Sequence, residues 1–245
     1  MGSVKTRAIV IHSLPFGESD LIVTFFSPDA GILKGIAKGA RKSRRRFQGS
    51  LEPFASVTLG AFIKESGALA RVDAADLLDA RLGIREDLKK FGAGCVMLEL
   101  VSVFEVPGAH SREAFSLLEA ALDLMGKSRA PSSLLAAFFV KYLKLSGFGL
   151  PFSSCGRCGA DLALTGATYA GGFSIYCPRC VPKAQAALGR GTVAFLRRAE
   201  AVEDGAMGRL KLGPHEEREA LDFLGKFTAA AAGKRLKSLD IINEF

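Results

Sequence analysis

Four cysteines, Cys155, Cys158, Cys177 and Cys180, stand in the pattern C-x2-C-x18-C-x2-C. Each Cys-x-x-Cys can curl into a turn that aims two thiolates at one ion, and the spacing falls within the range of tetrahedral structural zinc sites. Gly159 follows the first pair, where the backbone must turn tightly, and residues 169–176 read as a strand leading into the second. The competing readings are two disulfides or two redox pairs. A cytosolic chain disfavours the first, and the second needs only one such motif beside a βαβ pattern. Four thiolates saturate a zinc ion and leave no position for water, so one structural Zn2+ per chain is expected. The fifth cysteine, Cys95, lies on an apolar helical stripe and reads as a buried, inert thiol.

A second group is cationic. Lys38, Arg41, Lys42, Arg44, Arg45 and Arg46 fall within nine residues, with no acid between Ala30 and Leu51. Basic tails of this density sit in polar company at a terminus, whereas apolar sequence flanks this one on both sides. Lys34 adds a charge from the preceding strand, and Phe47 lies directly beside three arginines. Such cations neutralise phosphates and release counterions. Lys34, Lys38, Arg41, Lys42, Arg44, Arg45 and Arg46 are therefore the expected nucleic-acid contacts. Phe47, Phe16 or Phe54 could stack on unpaired bases, although a core position is the simpler expectation for each. No base-reading set is visible, so sequence selectivity is not expected.

These groups need elements to hold them. Residues 4–12, 21–26, 31–37, 54–64 and 68–73 are short, rich in β-branched or aromatic residues, and separated by turn chemistry such as SPDAG at 27–31 and ESG at 65–67. Five such strands suggest a small barrel of the OB type, with an SH3-like barrel as the alternative. The basic stretch is then the long connection between the third and fourth strands. From about Ile84 the apolar period becomes helical: Leu88, Phe91, Cys95, Leu98 and Ser102 share a stripe, and Ser111 can cap a helix carrying Phe115, Leu118 and Leu122. Pro131 opens another with Leu134, Leu135, Phe138, Phe139 and Tyr142, and residues 192–203 and 214–232 read as two more. The expected fold is α+β: a five-stranded barrel over residues 1–80, then a helical domain over 81–245 with a four-cysteine zinc module inserted at about 152–183.

Composition agrees with this division. Of the 245 residues, 49% are apolar and 24% charged, enough to bury a core and ordinary for a soluble protein. The net charge of +8 favours a polyanionic partner, and residues 1–50 hold nine Lys and Arg against three acids. Glu99 breaks the longest apolar run, so no membrane span is expected. Residues 1–6 fit an N-myristoylation pattern, which reads as coincidence before strand-like sequence, and no secretory leader is visible. A cytoplasmic location is expected. No phosphate loop, H-E-x-x-H or G-x-S-x-G motif occurs, and His12, His110 and His215 are scattered, so nothing argues for an enzyme.

The stretch FGESDLIVTFFSPDAGILKGIAKGARKSRRRFQGSLEPF, residues 16–54, resembles the N-terminal barrel of the bacterial RecO family of recombination mediators. The shared pattern is a Gly-Glu-Ser-Asp turn, a strand, an acid-Gly hairpin, then Ala-Lys-Gly-Ala-Arg and a basic loop ending before Pro-Phe. GFGLPFSSCGRCG at 147–159 is similar to that family's entry into its zinc module, and GKRLKSLDIINEF at 233–245 to its tail. The resemblance implies a non-enzymatic, nucleoid-associated DNA-repair protein. Its members bind single- and double-stranded DNA, anneal complementary strands, contact the single-strand-binding protein, and act with RecR in loading RecA. It also implies that the 38–46 cluster is the DNA loop and that the four cysteines are zinc ligands. The apolar residues Leu134, Leu135, Phe138, Phe139 and Tyr142 could offer a groove to the apolar, acidic tail of the single-strand-binding protein, although a core position is the expectation for most of them. A zinc-ribbon RNA-binding or ribosome-associated protein would share the barrel, the charge and the metal, and is the alternative.

Overall fold

The computed structural model describes residues 2–43, 46–64, 69–109 and 111–242. Five strands come first: β1 (Gly2–Phe16), β2 (Asp20–Ser27), β3 (Gly31–Ala37), β4 (Ser56–Ile63) and β5 (Ala70–Asp79). They close into a barrel in the order β1-β2-β3-β5-β4, the OB-type architecture expected from the sequence. Closure depends on β1, which pairs with β4 from Gly2 to Ile9 and with β2 from Ile9 to Phe16. A register irregularity between Val10 and His12 bends the strand between its two partners.

Period-2 alternation fills the barrel. Ala8 and Val10, Val23 and Phe25, Leu33 and Ala37, Val57 and Leu59, and Ala70 and Val72 all point into one buried cluster. Two strands run further than the apolar pattern suggests. β1 continues to Phe16 through exposed residues, and β5 continues to Asp79 rather than stopping at residue 73. On β5 the buried positions are 70, 72 and 75, because a register shift opposite Gly60 and Ala61 breaks the alternation that marks a strand. Phe54 is not part of β4: its φ is 73° and it is fully buried in the turn before that strand.

The helical part comprises α1 (Leu82–Arg85), α2 (Leu88–Phe104), α3 (Arg112–Lys127), α4 (Pro131–Leu145) and the single-turn α5 (Leu162–Thr165). Two short strands, β6 (Ala167–Tyr169) and β7 (Ala186–Leu188), are followed by α6 (Arg190–Ala201), a 3-10 turn at Asp204–Arg209, α7 (Pro214–Ala232) and α8 (Ser238–Ile242). None of the described helices is long and apolar enough to cross a membrane. The chain forms two compact units. One holds the barrel together with Val101–Leu122, and the other holds Gly83–Leu100 and the chain from Asp123 onward.

Within the first unit the helical segment is tied to the barrel. Arg7 pairs with Glu119 and lies over the Phe115 ring, Arg112 reaches Asp29 at 3.0 Å, and Phe115 meets Phe26 at 5.8 Å between centroids. Within the second, α4 is buried on every side from Ser133 to Val140, and only its C-terminal turn, with Lys144 and Leu145, is exposed. Leu134, Leu135, Phe138, Phe139 and Tyr142 are at most 1% exposed, so all five are core, as expected for most of them, and they form no groove. Helix α2 shows a related difference. Its buried apolar set is Ala93, Val96, Met97, Leu98, Leu100 and Val101, so of the stripe seen in sequence Leu98 is buried and Cys95 half-buried, while Leu88 and Phe91 are exposed.

Candidate nucleic-acid interface and metal centre

The basic stretch leaves β3 as a folded loop. Asp20, at the start of β2, accepts the Gly39 amide at 2.8 Å, and Ser19 accepts the Arg41 amide at 2.9 Å. The Gly39 amide, then the Ser19 hydroxyl, hold the Asp20 carboxyl below its ordinary value. Ala40, Phe47 and Leu51 turn inward and join the barrel core, so the loop is anchored by its own apolar residues. Ser43 closes a further turn by accepting the Arg46 amide at 3.0 Å.

What this anchoring leaves outside is positive. Lys34 on β3, and Lys38, Arg41, Lys42 and Arg46 on the loop, are all exposed, and none forms an ion pair among the described residues. Arg44 and Arg45, expected in the same cluster, lie outside the described residues. The five are not equivalent. Arg41 places its guanidinium 3.5 and 3.4 Å from the carbonyls of Gly17 and Glu18. Arg46 donates to the Asp73 carbonyl at 3.1 Å and covers the Phe47 ring at 4.8 Å, so part of its work is structural. Lys34 and Lys42 have no such duties among the described residues, and Lys38 adds only its charge to the surroundings of Asp20. Of the three candidate stacking rings, Phe47 and Phe54 are 5% and 0% exposed, whereas Phe16 is 51% exposed.

Charge is not confined to this edge. Residues 123–245 hold 17 Lys and Arg against 11 acids, a surplus equal to that of residues 1–50. In that half a groove of about 430 Å3 is walled by Phe195, Val202 and Leu210 and rimmed by Arg198, Arg209 and Lys211. These three cations form no ion pair among the described residues.

The cysteines come together from two turns. The sulfurs of Cys155, Cys158, Cys177 and Cys180 all lie within 4.8 Å of one another. Cys158 and Cys177 are 3.8 Å apart, about the S···S edge of a tetrahedron with Zn–S bonds of about 2.3 Å and far from a disulfide bond. No disulfide is present among them. The donor set therefore fits a metal ion. Burial opposes ionisation of Cys155, but amides of Cys158, Arg157 and Cys177 outweigh it and draw the thiol down to about 6. Cys180 is pushed up to about 12, first because its proton is shared with Cys158 and Cys177. A divalent cation at the centre reverses that logic.

The support for this centre differs in detail from the expected strand at 169–176. β6 ends at Tyr169, because Gly171 and Gly172 take φ of 104° and 73° and turn the chain back. Only a bridge between Thr168 and Tyr176 remains. Phe152 and Tyr169 then pack edge-on against Phe223 of α7, seating the module on the helices. His215, scattered in sequence, meets Glu219 at 3.1 Å. Cys95 is half-buried, and burial pushes its thiol up to about 11, which agrees with an inert role.

The family description "Recombination protein O N terminal" matches residues 1–81, and "Recombination protein O C terminal" matches residues 85–240. The chain belongs to the recombination protein O family. Its relatives in that family include DNA repair protein RecO of Geobacter metallireducens, 32% identical over 245 residues, covering 100% of this chain and 98% of that one. RecO of Syntrophus aciditrophicus is 32% identical over 98% of this chain and 95% of its own. RecO of Myxococcus xanthus is 34% identical over 96% and 95%. Membership supports a DNA-repair role for the chain. The turn Gly17-Glu18-Ser19-Asp20, which carried no chemical role in sequence, clamps the basic loop through Ser19 and Asp20.

Proposed function

We propose that the chain binds single- and double-stranded DNA without sequence selection, through Lys34, Lys38, Arg41, Lys42 and Arg46, together with Arg44 and Arg45, which adjoin them in sequence. The observation that carries this reading is a loop fixed by Asp20, Ser19, Phe47 and Leu51 whose described cations all stay exposed and form no ion pair among the described residues, Lys38 adding only its charge to the surroundings of Asp20. A cluster that only needed solvation would not require such fixing. Once bound, two strands repel less because their phosphates are neutralised, and base pairing drives annealing with no bond chemistry from the protein. In this reading the chain is not an enzyme.

Cys155, Cys158, Cys177 and Cys180 would hold one Zn2+, a structural ion that fixes a module too small to fold on its own core. A boundary between a barrel at 1–80 and a helical part at 81–245 is supported by the two family matches, which meet between residues 81 and 85, and the zinc module at about 152–183 is placed within the helical part on the spacing of its cysteines. The proposed partners are RecR, the single-strand-binding protein and, indirectly, RecA, in the bacterial cytoplasm at the nucleoid. With α4 buried, the groove between Phe195 and Leu210 suits the apolar, acidic tail of the single-strand-binding protein better, since Arg198, Arg209 and Lys211 rim it.

The test is annealing of complementary single strands, bare or coated with single-strand-binding protein, followed with and without the chain. Acceleration on coated DNA supports the reading. Activity on RNA alone would favour the ribosome-associated alternative.

A further inference from the structure

We infer that Phe16, on the outside of the barrel at the end of β1, is a stacking platform for an unpaired base and lets the interface favour a single strand over a duplex. This deepens the DNA-binding reading above and rests on it.

Among the described residues of the barrel, Phe16 is the only phenylalanine left exposed, at 51%. Phe25, Phe26, Phe47 and Phe54 are core, and the ring of Phe62 lies under Arg71 at 5.5 Å. Leu14, two residues back on the same face of β1, is 52% exposed and widens the patch. A lone exposed apolar side chain needs no explanation. Phe16 is set apart by what surrounds it.

In the β1–β2 ladder Phe16 is paired with Asp20, the residue that accepts the Gly39 amide and so holds the start of the basic loop. The Arg41 guanidinium reaches the carbonyl of Gly17, the next residue after Phe16, and that of Glu18. Cation and ring are thus fixed to one hairpin turn, one or two peptide units apart. A strand whose phosphate meets Arg41 has its neighbouring base within reach of the ring. Stacking is indifferent to base identity because every base has a π-face, which matches an interface with no base-reading residues. A duplex keeps its bases inside the helix, so the ring adds nothing there.

Two measurements on the full chain test this. The first compares wild type with Phe16→Ala on a single-stranded oligonucleotide, its abasic counterpart and a duplex of equal length, at fixed salt. Stacking predicts a loss of about five-fold or more on the single strand, a change under about two-fold on the duplex, and no difference between the proteins on abasic DNA. The position is exposed, so the variant should keep the wild-type melting temperature. The second uses the absence of tryptophan from the sequence: Phe16→Trp introduces a sole reporter, whose emission should be quenched by the single strand and unchanged by the duplex. Equal losses on single strand and duplex, or a Phe16→Ala variant that binds the single strand as wild type does, would overturn the proposal and leave DNA binding intact. A wild-type chain that binds neither form would overturn the DNA-binding reading, and the stacking with it.

Discussion

Replacing Cys177 by Ser removes one of four thiolates from a centre whose sulfurs lie within 4.8 Å of one another. Structural zinc sites contribute on the order of 10–16 kcal/mol in small zinc-finger peptides, so one ligand corresponds to about 3 kcal/mol. The effect should remain in that range here. The module keeps some hold without metal, because Phe152 and Tyr169, 2% and 1% exposed, stay packed on α7. For a chain of this size about 3 kcal/mol lowers the melting temperature by about 6–12 °C. Differential scanning calorimetry reads the shift, and elemental analysis on the same samples should give about one zinc per wild-type chain and well under one for the variant. Affinity for DNA through the barrel should change by less than about two-fold. Wild-type protein without zinc, two mutually bonded cysteine pairs, or an unchanged melting temperature in the variant would refute the reasoning.

Two further outcomes follow from individual contacts. The Glu219 carboxyl is burdened by burial but held below its ordinary 4.5 by the Thr192 hydroxyl, the Gly189 amide and His215, so its contribution is full above that value and fades as pH falls through the lower folded one. Glu219→Gln should therefore lower the melting temperature at pH 7, with the difference from wild type shrinking below about pH 4; a difference that grows on acidification contradicts this. Gly31 takes φ of 59°, and a Cβ there would lie 2.4 Å from the Val106 carbonyl and 3.0 Å from that of Ala109. Gly31→Ala should cost about 3 kcal/mol in urea unfolding, and a loss under about 0.5 kcal/mol would show that this turn tolerates a side chain.

The parts of the fold that follow from periodicity and turn chemistry were legible. Strand β3 and helix α7 begin and end where glycine and proline place them, at Gly31 and between Pro214 and Gly233. Legibility failed where two physical readings share one pattern. Helix α2 is apolar around most of its surface, so Leu88 and Phe91 looked as buried as Met97. The bulge in β5 hid its last six residues, since alternation is the only local mark of a strand. Helix α4 presented five apolar residues that serve equally as a groove or as core, and only the surrounding helices decide for core.

The candidate sites divide in the same way. A four-cysteine centre can be seen in sequence because its ligands must pair through short turns, and the tertiary structure only brings the two turns together. The basic loop was visible as charge, yet which phenylalanine stays outside depends on closure of the barrel. Phe47 is drawn in beneath Arg46, and Phe16 is left at the tip of the β1–β2 hairpin. Asp20 and Ser19 gave no chemical signal, because their partners are backbone amides supplied by a loop about twenty residues away.

The central claim is that the edge formed by β3 and the following loop holds DNA by its phosphates, and the most direct measurement is the salt dependence of affinity. Lys34, Lys38 and Lys42 are the cations of choice, since their side chains make no hydrogen bond or ion pair among the described residues and their removal should leave the fold intact. If all three meet phosphates, the Lys34→Ala, Lys38→Ala, Lys42→Ala triple variant should flatten the slope of log affinity against log salt by up to about 2 on a single strand and about 2.7 on a duplex. Sequence preference should not change. A folded triple variant with the wild-type slope on both forms of DNA would contradict the account.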